Sequence, residues 1–295
     1  MKIGIIGGGA IGLLFGGYLG LEHNVTLMVR GERQAHTINS KGVRVELEHS
    51  SKTVNVKSIP LSEGEIVADL LIIAVKQYHL PALKDFLCSL DKGIPLMFIQ
   101  NGMGHLELLE TLPQRMIFVA TVEHGASRLD ERTVRHNGIG VTNIAVYRGD
   151  EGTAARIPIT GTDFVFVHRK NYRSMLGEKL IANAVINPLT AILRANNGEL
   201  VSNPHYRIIL QRLFHEIIPL FPELNEKKME QNIVEICLNT RENTSSMLKD
   251  VLNGNKTEVD AILGYLVHFA EKKKVEIPLI NAFYSMIKGL EKKGG

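Results

Sequence analysis

The sequence predicts an α/β protein with two domains. An N-terminal, doubly wound and largely parallel sheet covers residues 1–169, and an all-helical C-terminal domain covers residues 170–295. Three observations predict this fold. The first thirty residues have the pattern strand, glycine turn, helix, strand; buried-strand patterns then alternate with helical ones; and after about residue 170 only helical periodicity remains. A length of 295 residues, 44% of them hydrophobic and 22% charged, suits two domains of an ordinary soluble globular protein.

The turn after the first strand, Lys2–Ile6, has the glycine spacing of a dinucleotide-binding fingerprint. The turn consists of Gly7, Gly8, Gly9, Ala10, Ile11 and Gly12, which matches G-x-G-x-x-G. In a Rossmann-type domain the first glycine permits the tight turn, the second lets backbone approach a pyrophosphate, and the third lets helix and strand pack closely. An amphipathic helix to about Glu22, whose N-terminus would face the phosphates, and a strand at 25–29 complete the unit. We therefore predict that these six residues bind a dinucleotide; a purely structural glycine turn is the alternative.

The second strand ends in a cation, Arg30. In NAD-binding domains an Asp or Glu about 20 residues after the glycines binds the ribose 2′-hydroxyl. A guanidinium can instead bind a 2′-phosphate through bidentate, charge-assisted hydrogen bonds and stack on adenine. The sequence therefore favours NADP(H) over NAD(H). The alternative is that Arg30 is a solvated loop residue and that Glu32 or a neighbour serves the ribose.

The other elements follow from periodicity, because continuous apolar runs predict buried parallel strands and alternating ones predict half-exposed strands. In the first domain we predict a helix at 32–41, hairpin strands at 43–47 and 53–57, a buried strand at 69–75, a helix at about 79–91, a buried strand at 95–99, a helix after residue 104, a buried strand at 116–120, and edge strands at 132–149 and 163–168. In the second domain we predict helices at 171–194, 205–220, 226–241, 257–273 and 279–292.

Charge and cysteine content exclude several classes of function. A net charge of +3, with basic residues scattered among 31 acidic ones, suits anionic small molecules and gives no reason to expect a nucleic-acid partner. The most apolar run, 70–75, is too short to cross a membrane, and the N-terminus reads as a core strand rather than a signal peptide. Cys88 and Cys237 have no metal-ligand spacing and are expected to be reduced, as in a cytoplasmic protein. The sequence is compatible with a monomer or a homodimer.

Polar residues follow the predicted buried strands of the first domain. Lys76, Asn101 and Thr121 lie at the ends of these strands or in the loops after them. Ligands of open parallel sheets bind beyond the carboxyl ends of the strands. These three residues are therefore expected near the cofactor.

The strongest candidate for chemistry is a polar stripe on the first long helix of the second domain. Lys179, Asn183 and Asn187 are four residues apart, and each step of four rotates by only roughly 40° around a helix. Their neighbours are mostly Leu, Ile, Ala and Val, and Pro188 predicts a local kink. A polar stripe on such a helix is typical of a pocket wall. The alternative is a surface lysine with two asparagines that satisfy core backbone groups.

A second polar stretch includes Ser246 and Glu258. The spacing Thr257-x-x-Asp260 resembles a capping box, which would place Glu258 in the first turn of a helix. A carboxylate there is favourable because of the helix dipole, and a serine pair is more often a cap than a ligand. From spacing alone, helix initiation is therefore the better explanation of this stretch.

Taken together, these motifs resemble those of the ketopantoate reductases (2-dehydropantoate 2-reductases). The resemblance extends along essentially the whole chain. It rests on G-x-G-A-x-G at Gly7–Gly12, Arg30, Val75-Lys76, Gln100-Asn101-Gly102, Lys179-x3-Asn183-x3-Asn187-Pro188, Ser245-Ser246-Met247 and Thr257-Glu258-Val259-Asp260. The glycine motif is common to many families, whereas the combination of the last three motifs is specific to this one.

The resemblance implies the reduction of 2-dehydropantoate to (R)-pantoate by NADPH, on the route to pantothenate and coenzyme A. It implies that Lys179 is the general acid and that Glu258 accepts a hydrogen bond from the substrate. Asn183, Asn187 and Ser246 would hold the substrate, Asn101 would touch substrate and cofactor, and Lys76 would lie near the cofactor ribose. Glu258 would also line the cofactor site, where Thr121 is expected from its position at the end of a buried strand. Two other hypotheses stay open: a reductase of a different 2-keto acid, and a non-catalytic NADP(H)-binding sensor.

Overall fold

A computed structural model describes residues 1–63, 66–150 and 164–293. The chain forms two compact units. Residues 1–100 and 106–175 form the first, and residues 101–105 and 176–295 form the second. The short loop at 101–105 therefore belongs to the unit that contains most of the C-terminal half of the chain. No helix in the described ranges combines the length and the apolar character that crossing a membrane requires.

The strands of the described residues all belong to the first unit. In chain order they are β1 (Lys2–Ile6), β2 (Asn24–Val29), β3 (Val43–Glu46), β4 (Ser51–Val54), β5 (Lys57–Pro60), β6 (Leu70–Ile73), β7 (Leu96–Phe98), β8 (Ile117–Val122), β9 (Gly125–Arg128), β10 (Thr133–Gly138), β11 (Val141–Arg148) and β12 (Val165–His168). Within the described residues they form an eight-stranded sheet, in the order β12-β11-β8-β7-β6-β1-β2-β5, and a four-stranded sheet, in the order β4-β3-β10-β9.

The larger sheet is parallel from β5 to β8, which confirms the predicted doubly wound character. Its central strands β1, β6 and β7 are almost completely buried, as expected for a sheet covered on both faces. Strand β11 pairs antiparallel with β8, and β12 pairs parallel with β11 to form the edge. The predicted edge strands are thus present at 141–148 and 165–168, while residue 163 lies outside the described residues.

The sequence predicted that helix α1 (Ala10–Leu19) is amphipathic, but the helix is buried along almost its whole length. The reason is that the four-stranded sheet covers the side of the helix that faces away from the larger sheet. A Cβ on Gly16 would contact Leu27 of β2, and one on Gly17 would overlap Val45 of β3. Two successive glycines therefore let the helix approach both sheets closely.

The smaller sheet combines a predicted hairpin with one strand that was predicted for the edge of the larger sheet and one that was not predicted. Strands β3 and β4 form the expected hairpin. Strand β10, predicted for the sheet edge, instead pairs parallel with β3, and β9 was not predicted. Helix α2 (Glu32–Lys41) has the predicted bounds. The helix predicted at about 79–91 is wrong in its extent, because two short 3₁₀ turns follow β6, at 77–79 and 81–83, and within that described segment only α3 (Lys84–Ser89) is α-helical.

The remaining helices confirm the all-helical C-terminal prediction. After α4 (Leu106–Thr111) they are α5 (Tyr172–Leu193), α6 (Glu199–Ser202), α7 (Pro204–Ile217), α8 (Glu226–Asn239), α9 (Ser246–Leu252), α10 (Tyr265–Lys273) and α11 (Pro278–Lys293). A π-helical turn, Asp260–Gly264, leads directly into α10. Helix α11 begins against Glu216 of α7, whose carboxylate accepts hydrogen bonds from the N–H groups of Leu279 and Ile280 at 3.0 and 2.7 Å.

Candidate active site

The glycine turn of the first unit has the backbone that the motif predicts. Gly7 has φ of +120°, which only glycine adopts readily. A Cβ on Gly12 would overlap the Gly7 carbonyl oxygen, so the third glycine is needed for close packing. A Cβ on Gly9 would meet nothing within 4 Å. The space beside Gly9 is therefore open to a group that approaches the backbone.

Helix α1 begins directly after this turn, with Gly9 at its N-cap position. No side chain caps this N-terminus, and its first turn, which includes Ala10 and Ile11, carries no acidic residue. The N–H groups of a first helical turn lack intrahelical partners, and the helix dipole makes this end favourable for anions. The turn and the helix start thus fit a pyrophosphate. Gly8 adjoins them, and its carbonyl oxygen accepts hydrogen bonds from Gln34 and Arg128 at 2.9 and 3.3 Å.

Arg30 directly follows β2, and Lys76 lies shortly after β6. These two strands flank β1 in the larger sheet, so both residues lie beyond the carboxyl ends of its strands. Arg30 is exposed, and its Nη2 lies 3.2 Å from Nε2 of His79. Because a guanidinium only donates, the facing ring nitrogen of His79 accepts this hydrogen bond. Lys76 is half-buried and stands directly before the 3₁₀ turn that contains His79. His79 was not among the predicted site residues, since nothing in the sequence links it to Arg30.

Thr121 is buried near the end of β8, where its hydroxyl oxygen accepts a hydrogen bond from the Asn143 side chain at 3.2 Å. Gln100, directly before Asn101, binds the adjoining strand end. Its amide group donates to the carbonyl oxygens of Ile73 and Val75 at 2.7 and 2.9 Å. Gln100 therefore fixes the point at which the chain leaves the first unit.

In the second unit, the stripe of Lys179, Asn183 and Asn187 lies on helix α5, which continues through Pro188 without interruption. The continuous helix places the three residues on one side, as their spacing predicts. Lys179 and Asn183 are half-buried, and Asn187 is buried. Their neighbours Leu180, Ile181 and Ala184 are buried too, so that the stripe is a polar strip on an apolar helix.

Ser246 is the first residue of α9, and a buried hydrogen bond holds the start of that helix beside α5. Ser245 caps the helix by accepting from the N–H of Leu248 at 3.1 Å. The Thr190 hydroxyl of α5 donates to the Ser245 hydroxyl at 2.7 Å. Thr190 and Ser245 therefore place Ser246 near the end of the polar stripe. The sequence indicated Ser245 as a cap but contained no signal for Thr190.

Asn101 and Glu258, which are 157 residues apart in the chain, meet in the second unit. The Asn101 side-chain amide donates to Glu258 Oε2 at 2.9 Å. The next residue, Gly102, has φ of +80°, and a Cβ there would overlap the carbonyl oxygen of Ala261 in the π-helical turn. The loop at 101–105 thus packs tightly on the turn that follows Glu258. Single π-turns of this kind occur frequently at functional sites.

The capping box predicted for Thr257 and Asp260 is not formed. The Thr257 N–H donates to Glu291 Oε1 at 2.8 Å, while the Asp260 carboxylate accepts from Tyr284 and Lys288. The Thr257 hydroxyl oxygen does accept from the Val259 N–H at 3.2 Å, at the point where the helical segment begins. Local spacing suggested that Thr257 and Asp260 form a cap together, whereas the partners of both come from helix α11.

His105, at the end of the loop, is buried, and burial lowers its pKa to about 4. Between that value and the unfolded pKa of about 6.5, the unfolded chain binds a proton that the native chain does not. We therefore expect the unfolding free energy to fall as pH decreases from about 6.5, by about 3 kcal/mol at pH 4.

Denaturant unfolding of wild type and His105→Leu at about pH 7 and pH 5 checks this pH dependence. The variant should lose part of the pH dependence, and His49→Ala, at an exposed side chain, should not. An unchanged dependence in His105→Leu would contradict the expectation.

Family models match both parts of the chain. "Ketopantoate reductase PanE/ApbA" matches residues 3–149, and "Ketopantoate reductase PanE/ApbA C terminal" matches residues 171–291. The 2-dehydropantoate 2-reductase of Bacillus subtilis is 36% identical over 297 residues, covering 99% of this chain and 98% of the relative. That of Listeria innocua is also 36% identical, over 99% and 97% of the two chains.

Solved structures agree with the sequence comparisons. The crystal structure of a probable 2-dehydropantoate 2-reductase from B. subtilis has a TM-score of 0.90 at 35% identity, with coverage of 99% of this chain and 100% of that one. A ternary structure of D-mandelate dehydrogenase with NADH and anilino(oxo)acetate has a TM-score of 0.89 at 22% identity, over 100% and 99% of the chains, and shows the shared fold. The chain described here belongs to the ketopantoate reductase family.

Proposed function

We propose that this protein catalyses the NADPH-dependent reduction of 2-dehydropantoate (ketopantoate) to (R)-pantoate in pantothenate and coenzyme A biosynthesis. Family membership over both parts of the chain supports the reaction. The observation that carries the proposal is the polar stripe of Lys179, Asn183 and Asn187 on a helix whose residues beside the stripe are buried and apolar. A non-catalytic sensor would have no need of this stripe.

The first unit supplies the residues that would hold NADP(H). The glycine turn fits the pyrophosphate, because Gly9 leaves open space and the start of α1 has no side-chain cap. Arg30 would bind the 2′-phosphate, Lys76 would lie near the ribose, and Thr121 would line the site from β8. When bound, the reduced nicotinamide supplies the hydride.

Lys179 acts as the general acid in this proposal. As hydride adds to the C2 carbon of the keto acid, the C2–O double bond becomes a single bond and negative charge develops on the oxygen. The ammonium of Lys179 stabilises that charge and donates its proton, so that a hydroxyl group forms. Lysine is left neutral and regains a proton from solvent.

The other polar groups orient the substrate. Glu258 accepts a hydrogen bond from a substrate hydroxyl, and Asn183, Asn187 and Ser246 bind its carboxylate and hydroxyl groups. Asn101 donates to Glu258 at 2.9 Å, which supports a fixed orientation of that carboxylate. In the proposed complex Asn101 and Glu258 also touch the cofactor. Lys179 and Glu258 are thus the catalytic pair, one supplying a proton and the other orienting the substrate.

The proposal is tested by the decrease in NADPH absorbance on addition of ketopantoate to the purified protein. We expect turnover with NADPH and a kcat/KM for ketopantoate well above those for simpler 2-keto acids. A large preference for another keto acid would replace the substrate but retain the reaction. NADPH binding without turnover of any keto acid would refute the enzymatic function.

Arg30→Ala is expected to weaken NADPH binding by about tenfold or more, with a much smaller effect on NADH, because only NADPH carries the 2′-phosphate. Titration of each cofactor by fluorescence measures both dissociation constants. Arg33→Ala is the matched control, since Arg33 lies in the same region but pairs with Glu131 at 2.9 Å. Equal losses for both cofactors in Arg30→Ala would mean that another residue binds the 2′-phosphate.

We also propose a cytoplasmic location and a monomer or homodimer. Both cysteines are free, and burial raises the pKa of Cys237 to about 12, as suits reduced packing residues. Fractionation of cells tests the location. Light scattering of the purified protein distinguishes the monomer from the dimer.

A further inference from the structure

Helix α11 holds the segment around Glu258 through a network of polar side chains. Tyr284, Lys288 and Glu291 are spaced by four and three residues along α11, and therefore lie on one face of it. All three bind residues that flank Glu258. None of them belongs to the polar stripe or to the glycine turn.

The residue before Glu258 is bound by Glu291. Thr257 is 1% exposed, and both its N–H and its hydroxyl donate to Glu291 Oε1, at 2.8 and 2.7 Å. A single carboxylate oxygen thus satisfies two buried donors. Without that acceptor, Thr257 would keep two buried donors that lack a partner, which favours displacement of the segment.

The second residue after Glu258 is bound by the same helix. Asp260 accepts from the Tyr284 hydroxyl at 2.8 Å and pairs with Lys288 Nζ at 3.1 Å. Lys288 also pairs with Glu291 Oε2 at 3.0 Å, so it bridges the two carboxylates. Burial by itself would raise the pKa of Asp260, but the hydrogen bonds from Tyr284 and Lys288 hold it below its ordinary value. Burial likewise opposes ionisation of Glu291, yet hydrogen bonds from Thr257 and Lys288 lower its pKa.

Glu258 lies between these two attachments, and its side chain binds Asn101 rather than helix α11. Its carboxylate accepts the Asn101 amide at 2.9 Å, and its carbonyl oxygen accepts from the N–H of Ile262 at 3.1 Å. The backbone of Glu258 is therefore fixed on both sides, while its side chain is directed to the loop at 101–105.

We propose that Glu291 is a positioning residue for Glu258: by holding Thr257 directly and Asp260 through Lys288, it sets the orientation in which Glu258 meets Asn101 and the substrate. The inference rests on the proposed function. Glu291 acts through Glu258 and does not contact the substrate in this proposal.

The test combines an apolar and a conservative variant of Glu291. Glu291→Leu removes the acceptor and is expected to lower kcat/KM for ketopantoate at least tenfold. Glu291→Gln keeps an oxygen that can accept from Thr257, and should restore at least a third of the wild-type value. Glu235→Ala, at an exposed position on α8, should stay within twofold of wild type. Equal impairment of the Leu and Gln variants, or wild-type activity of Glu291→Leu, would overturn the proposal.

A double-mutant cycle separates positioning from a general structural role. If Glu291 acts through Glu258, Glu291→Leu should reduce kcat/KM by less than twofold once Glu258 is already alanine. A full additional tenfold loss in the Glu258→Ala background would refute the inference. The wild-type assay comes first: absence of ketopantoate turnover refutes the proposed function, whereas turnover with additive effects refutes only the role of Glu291.

Discussion

Lys179→Ala is expected to lower kcat for ketopantoate by about 10²-fold or more, because the developing alkoxide loses its proton donor. The substitution removes a half-buried side chain from helix α5 without disturbing the apolar residues beside it, so the fold should persist. Steady-state NADPH oxidation at saturating substrate measures kcat, and circular dichroism confirms the helix content.

Lys179→Arg distinguishes proton transfer from simple charge stabilisation. Arginine keeps the positive charge, but its guanidinium does not give up a proton at ordinary pH. If Lys179 is the general acid, the arginine variant should remain nearly as slow as the alanine variant. Lys227→Ala, at an exposed lysine of α8, should retain wild-type kcat. A near-normal rate in Lys179→Ala would remove this residue from the role of acid.

Gly102→Ala is expected to lower both stability and activity. Residue 102 has φ of +80°, where an L-residue costs about 1–2 kcal/mol, and the new Cβ would overlap the Ala261 carbonyl oxygen. The loop or the π-helical turn must then move, and Asn101 moves with it, away from Glu258. We expect a loss of about 2 kcal/mol or more in unfolding free energy. We also expect at least a tenfold loss in kcat/KM.

Gly289→Ala provides the matched control for this effect. Gly289 lies inside helix α11, and a Cβ there would meet nothing within 4 Å. The substitution should therefore raise stability by about 0.5–1 kcal/mol, with unchanged kinetics. Thermal and denaturant unfolding compare the two variants. Equal stability of wild type and Gly102→Ala would contradict the strained backbone and the close contact with Ala261.

Local patterns predicted most of the fold. The strand Lys2–Ile6 and the glycine turn are determined by neighbouring residues, so the sequence identifies them directly. The four-stranded sheet was not predicted because β3 pairs with β10, about 90 residues later, and no local pattern encodes that pairing. The amphipathic prediction for α1 was wrong for the same reason, since the covering sheet comes from distant segments.

The candidate site divides in the same way. The polar stripe from Lys179 to Asn187 depends on helical spacing, which the sequence contains, and the structure places it on one continuous helix. The Asn101–Glu258 contact joins residues 157 positions apart. The position after a buried strand indicated Asn101, but only the family resemblance assigned Glu258 to the site. The binding of Thr257 by Glu291 also escaped prediction, because a capping box is a local motif and Glu291 lies 34 residues away.

The place of residues 101–105 in the second unit has a consequence for biosynthesis of the protein. The chain enters that unit after Gln100, leaves it after His105 and returns after Met175, so the helical unit is not one continuous segment. At a synthesis rate of about 5–20 residues per second, Asn101 is synthesised roughly 8–30 seconds before Glu258. During that interval buried residues such as His105 lack their native surroundings. Completion of the helical unit therefore awaits the last part of the chain, and early-terminated products should be especially sensitive to proteolysis within this loop.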